Sequence, residues 1–298
     1  MRPKVLILYI LLMVIWSTSW MAIKISLRGT PPILGVGLRF GLSAAILWII
    51  LLAKRERPVI SRPAIKVYLA FGLLNFASSY TLTYWGTQFI YSGLTAVIWA
   101  TLPMVVAFLA HFMLPDDPMT WRKSAGVVSG LVGTYLIFAP GGDVPDDFRI
   151  IGVGAVLLAV IIAAWPNILY KRHQRNIRPL HLNVVAQSLA AAVLIPLAFL
   201  LEEPADMVWD LVNLGALVYL TVFATVITWS IYLWLFSYLT VTQISAIALV
   251  PPVIASLLGW IFLGETFTST MILGSFFVLA GVVMIHLQRI GKRPARPA

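Results

Sequence analysis

Arg39 is a cation set inside an apolar run, residues 33–53. A charge near the centre of a bilayer costs about 2.5–3.5 kcal/mol on insertion scales, so a chain that keeps one there has a use for it. Two uses fit. Arg39 anchors a carboxylate or gates the outer side of a carrier, or it satisfies backbone carbonyls and headgroups near a helix end. The other chemistry is aromatic and hydroxylic. Phe76, Tyr80, Tyr84 and Gln88 recur every four residues. Thr221, Thr225, Thr228 and Tyr232 recur at three or four. Each set falls on one helical face. Trp16 and Trp20 stand one turn apart, Trp99 lies close to Pro103, and Trp165 adjoins Pro166 and Asn167. Polar atoms facing lipid lack partners, so these faces turn inward.

A largely apolar cavity with Trp and Tyr walls and a few hydroxyl and amide groups suits an amphipathic or aromatic solute. The expected lining is Trp16, Trp20, Tyr80, Tyr84, Trp99, Trp165, Asn167, Thr228 and Tyr232. For the large aromatics among them, ordinary packing is the competing role. Arg39 and Gln187 are the expected anchor or gate residues, with Pro103 and Pro251 as kinks or hinges, since each proline removes a helical hydrogen bond.

Other chemistries find no support. None of the 11 Asp and Glu lies deep in an apolar run. Asp117 and Glu265 end two such runs and read as caps of the helices that follow them, near Thr120 and Thr268. His111 and His286 are separate, which makes a poor proton relay. There are no cysteines, which excludes disulfides, thiol catalysis and Cys-type zinc sites. No Walker loop, H-E-x-x-H or G-x-S-x-G occurs, and Gly35-Val36-Gly37 lacks the strand that a dinucleotide site requires. No metal and no cofactor is implied.

The elements that must carry these residues are membrane helices. Sixty per cent of the 298 residues are hydrophobic and 11% charged, against about 25% charged in soluble domains. A spanning helix needs about 20 mostly apolar residues. Ten runs qualify, at 5–23, 33–53, 64–84, 91–114, 123–139, 150–170, 182–201, 213–236, 244–263 and 271–288. The first follows Arg2 and Lys4, contains two tryptophans and precedes no A-x-A site, so it is expected to stay as a helix rather than be cleaved as a signal peptide.

Loop charges set the orientation. With the N-terminus inside, seventeen of the 21 Lys and Arg fall on the cytoplasmic side, and the acidic loops 140–149 and 202–210 fall outside. Both termini are then cytoplasmic. The net charge of +10 is thus a membrane signature, and no nucleic-acid partner is expected.

Sliding the chain against itself by 148 residues pairs Pro103 with Pro251, Asp117 with Glu265, Thr120 with Thr268, Gly126 with Gly274, Gly133 with Gly281 and Tyr84 with Tyr232. Arg39 then meets Gln187. The expected fold is an all-α membrane protein of two five-helix repeats, residues 1–140 and 149–298. Five is odd, so the second repeat enters from the opposite side and the two are inverted.

Leu263-Gly264-Glu265-Thr266 with Gly274 and Ala280-Gly281, Leu38-Arg39-Phe40, and Trp16-Ser17-Thr18-Ser19-Trp20 resemble an EamA-type permease of the drug/metabolite transporter superfamily. The resemblance covers nearly the whole chain. The first half departs from it, with Leu114-Pro115-Asp116-Asp117 where Leu-Gly-Glu is usual. Membership implies a ten-helix carrier with a central cavity that moves amino acids, other metabolites or toxic organic compounds, and the aromatic amino acid exporters are the kind it most resembles. The first helix lacks the glutamate of the superfamily's small multidrug antiporters. The expected protein is a secondary carrier of the bacterial inner membrane, working by alternating access on a small-molecule substrate, as an exporter. Uncoupled facilitation is the alternative and a membrane enzyme a more distant one, and the coupling ion stays open.

Overall fold

The computed structural model describes residues 3–113, 119–138, 146–173, 177–235, 237–238 and 246–287. Asp117 and the side chain of His286 fall outside the described residues. All regular structure within them is helical. In chain order the helices are α1 (Pro3–Ser26), α2 (Pro32–Ala53), α3 (62–87), α4 (Ser92–Met113), α5 (Trp121–Phe138), α6 (Asp146–His173), α7 (Pro179–Leu201), α8 (Leu211–Leu235), α9 (Pro251–Leu263) and α10 (Ser269–Leu287).

Six of them, α1, α2, α4, α6, α7 and α8, are long and apolar enough to cross a bilayer. The apolar stretches Pro251–Leu263 and Ser269–Met284 are shorter. Phe199, Leu200, Phe262 and Phe276, each about two-thirds exposed or more, turn outward, as side chains in lipid do.

Helix starts are chemically marked. Ser61 Oγ accepts the Ala64 N–H at the start of α3, and Asp210 Oδ1 accepts that of Asn213 at 2.7 Å at the start of α8. The start of α2 is capped from a distance. Both Glu202 oxygens accept N–H groups there, from Ile33 and Leu34, each at 2.8 Å. Helix α9 ends on Gly264, whose φ of 68° favours a residue without a Cβ.

Four helices are irregular. Residues Ala70–Ser79 of α3 and Val222–Ile227 of α8 are π-helical. These segments overlap under the 148-residue offset, and both carry a hydroxyl bonded five residues back, Ser78 to the Leu73 carbonyl and Thr225 to that of Leu220, each at 2.8 Å. Helix α4 is broken between Trp99 and Leu102, just before Pro103. The run expected at 244–263 becomes a short 3₁₀ turn, Ala246–Leu249, followed by α9 from Pro251. Pro166, in contrast, sits inside an unbroken α6.

Extensive helix pairs include α5 with α10 and α2 with α7. Glycines let α5 and α10 meet backbone to backbone. A Cβ built on Gly133 would lie 2.5 Å from the Gly274 carbonyl oxygen, and one on Gly281 would lie 2.4 Å from that of Gly126. The 148-residue offset carries each of these contacts onto the other. Ser129 Oγ donates to the carbonyl of Phe277, its own counterpart at that offset, at 2.7 Å. In the second pair, Gly37 and Gly41 of α2 accommodate Ile195 of α7.

Candidate functional site

A cavity of about 170 Å³ lies between α1, α2, α3, α4, α6, α8 and the segment leading into α9. Trp16 and Trp20 reach it from α1, Tyr80 from α3, Trp99 and Pro103 from the broken part of α4, Asn167 from α6, Tyr232 from α8 and Pro251 from α9. Arg39 reaches it from α2. Both helix breaks thus border the cavity, where irregular backbone is tolerated at membrane depth.

The aromatic walls are braced ring against ring. Trp16 stands 5.3 Å from Tyr232 and 6.2 Å from Trp229, centroid to centroid, and Trp229 stands 5.4 Å from Tyr232. Trp20 and Tyr80 lie 6.1 and 6.3 Å from Trp99. These tilted and edge-on arrangements suit the quadrupoles of the rings. Their polar tips are tied too. The indole N–H of Trp229 donates to Tyr80 Oη at 3.0 Å, that of Trp99 to Thr83 Oγ1 at 3.1 Å, and Tyr232 Oη donates to Asn167 Oδ1 at 3.4 Å.

Arg39 does not snorkel. It is 2% exposed. Its Nη1 donates to Tyr84 Oη at 3.1 Å, its Nη2 to the Ala224 carbonyl at 2.9 Å and its Nε to Thr225 Oγ1. The guanidinium also lies 5.1 Å from the centroid of the Tyr80 ring. Arg39 therefore joins α2 to α3 and to the π turn of α8 while facing the cavity.

Four expected site residues do not line it. Trp165 is 39% exposed on the outside of α6. Asn167 is two residues further on, so the 3.6-residue period puts the two on nearly opposite faces, and only Asn167 turns inward. Tyr84 is buried behind the wall as a partner of Arg39. Thr228 is fully buried away from the cavity. Gln187 is also fully buried, where Oε1 accepts from Ser43 and Nε2 donates to Asn183 Oδ1 at 3.4 Å, stitching α2 to α7.

Trp229, Asn75, Thr83, Ser19 and Lys171 line the cavity without having been singled out from the sequence. Trp229 has a clear cause. The π turn before it breaks the 3.6-residue register, so the face read from Thr221 onward is no longer the inward face by Trp229. Lys171 reads in sequence as one more cation of a basic loop, yet it belongs to the last turn of α6.

One end of the bundle is closed by polar contacts. Lys24 Nζ donates to the carbonyls of Thr87 at 2.7 Å, Gln88 at 3.1 Å and Ile90 at 2.8 Å. Beside it, Glu265 is 3% exposed and accepts the first N–H groups of α4. Glu265 is a cap, as expected, but of α4 rather than of the following α10. Thr268 takes that second role, with Oγ1 accepting the Met271 N–H at 3.3 Å. His111 Nδ1 accepts the Met119 N–H at 3.0 Å, away from the cavity.

The model of the EamA-like transporter family matches the chain twice, over residues 3–139 and 150–287. An uncharacterised transporter of Bacillus subtilis, YoaV, is 28% identical over 281 residues, covering 94% of this chain and 96% of that protein. An S-adenosylmethionine/S-adenosylhomocysteine transporter of Chlamydia trachomatis is 27% identical over 283 residues, covering 91% and 86%. The protein PagO of Salmonella typhimurium is 25% identical over 255 residues, covering 85% and 83%. A solved crystal structure superposes with a TM-score of 0.68 over 98% of this chain and 100% of its own, at 18% identity. That last likeness concerns the fold alone.

Proposed function

The chain belongs to the EamA-like transporter family, and on that premise we propose that it is a secondary carrier of small amphipathic metabolites, amino acids with aromatic or other apolar side chains among them, working by alternating access. It is a multi-pass membrane protein, and the names of its relatives point to transport rather than catalysis. The observation that carries the proposal is the aromatic cavity bordered by two broken helices and reached from both matched segments.

In this proposal all ten helices cross the membrane and both termini are cytoplasmic, supported by the basic loops of that side. The two matched segments are inverted repeats. The α5–α10 glycine contacts that map onto each other, and the Ser129–Phe277 bond between counterparts, support an axis between them. The Lys24 end is then the outer one, and the cavity reaches towards the cytoplasm at Lys171. Such a conformation is one half of an alternating cycle. Export is the direction that the family resemblance implies.

Uncoupled facilitation is the second candidate, because the cavity lining holds no Asp, Glu or His among the described residues. Flux of labelled phenylalanine, tryptophan and leucine into and out of proteoliposomes, with and without a pH gradient, tests both. Saturable flux above protein-free vesicles is expected. Absence of flux for every amphipathic solute in both directions overturns the carrier assignment, and flux indifferent to the gradient selects facilitation.

A further inference from the structure

We infer that the cavity is built for an anion: its preferred solute carries a carboxylate or similar acceptor-rich group on a flat apolar body, without a compensating ammonium. This rests on the carrier assignment above and narrows its solute.

The side-chain atoms of the lining that are buried without a hydrogen-bond partner are of one kind. Asn75 is 1% exposed, and its Nδ2 has no hydrogen-bond partner. The indole Nε1 of Trp20 has none either. Both residues line the cavity, and both atoms are donors. Arg39 uses three hydrogen bonds of the five N–H groups a guanidinium carries. Lys171 adds a second cation, and no carboxylate lines the cavity among the described residues.

The hydroxyl protons of Ser19 and Thr83 are already spent on backbone, on the Trp16 and Ser79 carbonyls respectively, each at 2.8 Å. Buried donors without acceptors cost roughly 1–3 kcal/mol each, so a wall that keeps them is complementary to something that accepts. A carboxylate offers about four lone-pair sites and would meet two cations. An ammonium would meet the same two cations with no acid to offset them. Aromatic rings do attract cations, but the Tyr80 face is already shared with Arg39.

Three solutes with one ring separate the charge states: 3-phenylpropionate, phenylalanine and phenethylamine. Binding to the purified full chain is read from tryptophan fluorescence, and flux from proteoliposomes against protein-free vesicles. The anion is expected to bind at least about tenfold more tightly than phenylalanine, and the amine least. Equal or better binding of phenylalanine or the amine overturns the anion selectivity and leaves the carrier standing. No binding and no flux for any of the three overturns the carrier assignment itself. Two variants locate the effect. Asn75→Asp replaces an unpaired donor by a carboxylate of the same shape, and Lys171→Met removes a cation at a helix end, where folding is least at risk. Each is expected to lower anion affinity about tenfold and to lower that of phenylalanine, whose ammonium offsets the lost complementarity, by less. Anion affinity unchanged in both variants overturns the assignment.

Discussion

The carboxylate of Glu265 accepts the backbone N–H of Ser92 at 2.6 Å and that of Gly93 at 3.3 Å, so an acid just beyond α9 caps the start of α4. The free N–H groups and the dipole at a helix start favour a negative partner. Gly259 leaves room for it, since a Cβ there would lie 2.1 Å from Glu265 Oε2. Glu265→Ala should lower stability in detergent by about 1–2 kcal/mol, seen as a lower melting temperature. Glu265→Gln should recover part of the loss, with the pH dependence of flux unchanged. A Gln variant that kept its stability but lost a pH-dependent flux would make Glu265 a coupling residue instead.

Arg39 holds three elements through Tyr84, Thr225 and the Ala224 carbonyl. Arg39→Met would leave those buried partners short of a donor, at roughly 1–3 kcal/mol for each group left unsatisfied. The variant should therefore both melt earlier and lose flux. Arg39→Lys keeps the charge but lacks the fork that reaches α3 and α8 together, so it should regain little of either. Full flux in Arg39→Met, at normal protein levels in the membrane, would remove Arg39 from the site.

Much of this site was legible in the residues, and the misses have physical causes. Apolar run lengths located the helices, because lipid demands about 20 residues per crossing whatever the packing. Trp16, Trp20, Tyr80, Trp99, Asn167 and Tyr232 were recognisable because an aromatic or polar group on an apolar helix needs an inward partner. Thr228 and Trp229 were exchanged because the π turn at Val222–Ile227 cannot be read from a 3.6-residue period. Trp165 was misplaced for a simpler reason. It adjoins Pro166 and Asn167 in sequence, but neighbours on a helix do not share a face. The helix that Glu265 caps was out of reach, since Ser92 is 173 residues away.

Trp229 lines the cavity and Trp165 does not, so the two tryptophans make a matched pair. Trp229 braces Trp16 and Tyr232 and donates to Tyr80, whereas Trp165 faces outward. Trp229→Ala should weaken binding of an aromatic solute by roughly tenfold, about 1.4 kcal/mol. Trp165→Ala should leave the dissociation constant unchanged. Titration by fluorescence quenching measures both, and a larger effect at Trp165 would refute the placement of the cavity.

Outside the membrane-spanning segments, Glu56 joins α7 by accepting from His181 at 3.0 Å and pairing with Arg178 at 3.0 Å. The His181 hydrogen bond, then that of Arg178, hold its carboxyl below the ordinary value of 4.5. A depressed carboxyl contributes stability that is complete above its unfolded value and is lost as pH falls through its folded one. Thermal unfolding in detergent should therefore show a small acid-side decline beginning below about pH 4.5, weakened by solvent screening of the pair. Glu56→Gln should lack that component and match the parent only at the acid end. Parallel pH profiles for the two proteins would dismiss the coupling.

A contact between main chains sets the strictest test of the helix pairing. At Gly133 a Cβ would lie 2.5 Å from the Gly274 carbonyl oxygen and 2.7 Å from the Val278 nitrogen. Both are main-chain atoms, so no side chain can swing aside, and α5 and α10 would have to separate. Overpacking of this kind costs typically 1–3 kcal/mol, and parting the helices would also lengthen the Ser129–Phe277 bond of 2.7 Å. Gly154 of α6 is the matched control, because a Cβ there meets nothing within 4 Å. Gly154→Ala should be neutral or stabilising by up to about 1 kcal/mol through helix propensity alone. Gly133→Ala changes the propensity in the same favourable direction, so a lower melting temperature for it isolates the α5–α10 contact. A Gly133→Ala protein as stable as Gly154→Ala would mean that the two helices do not meet at these glycines.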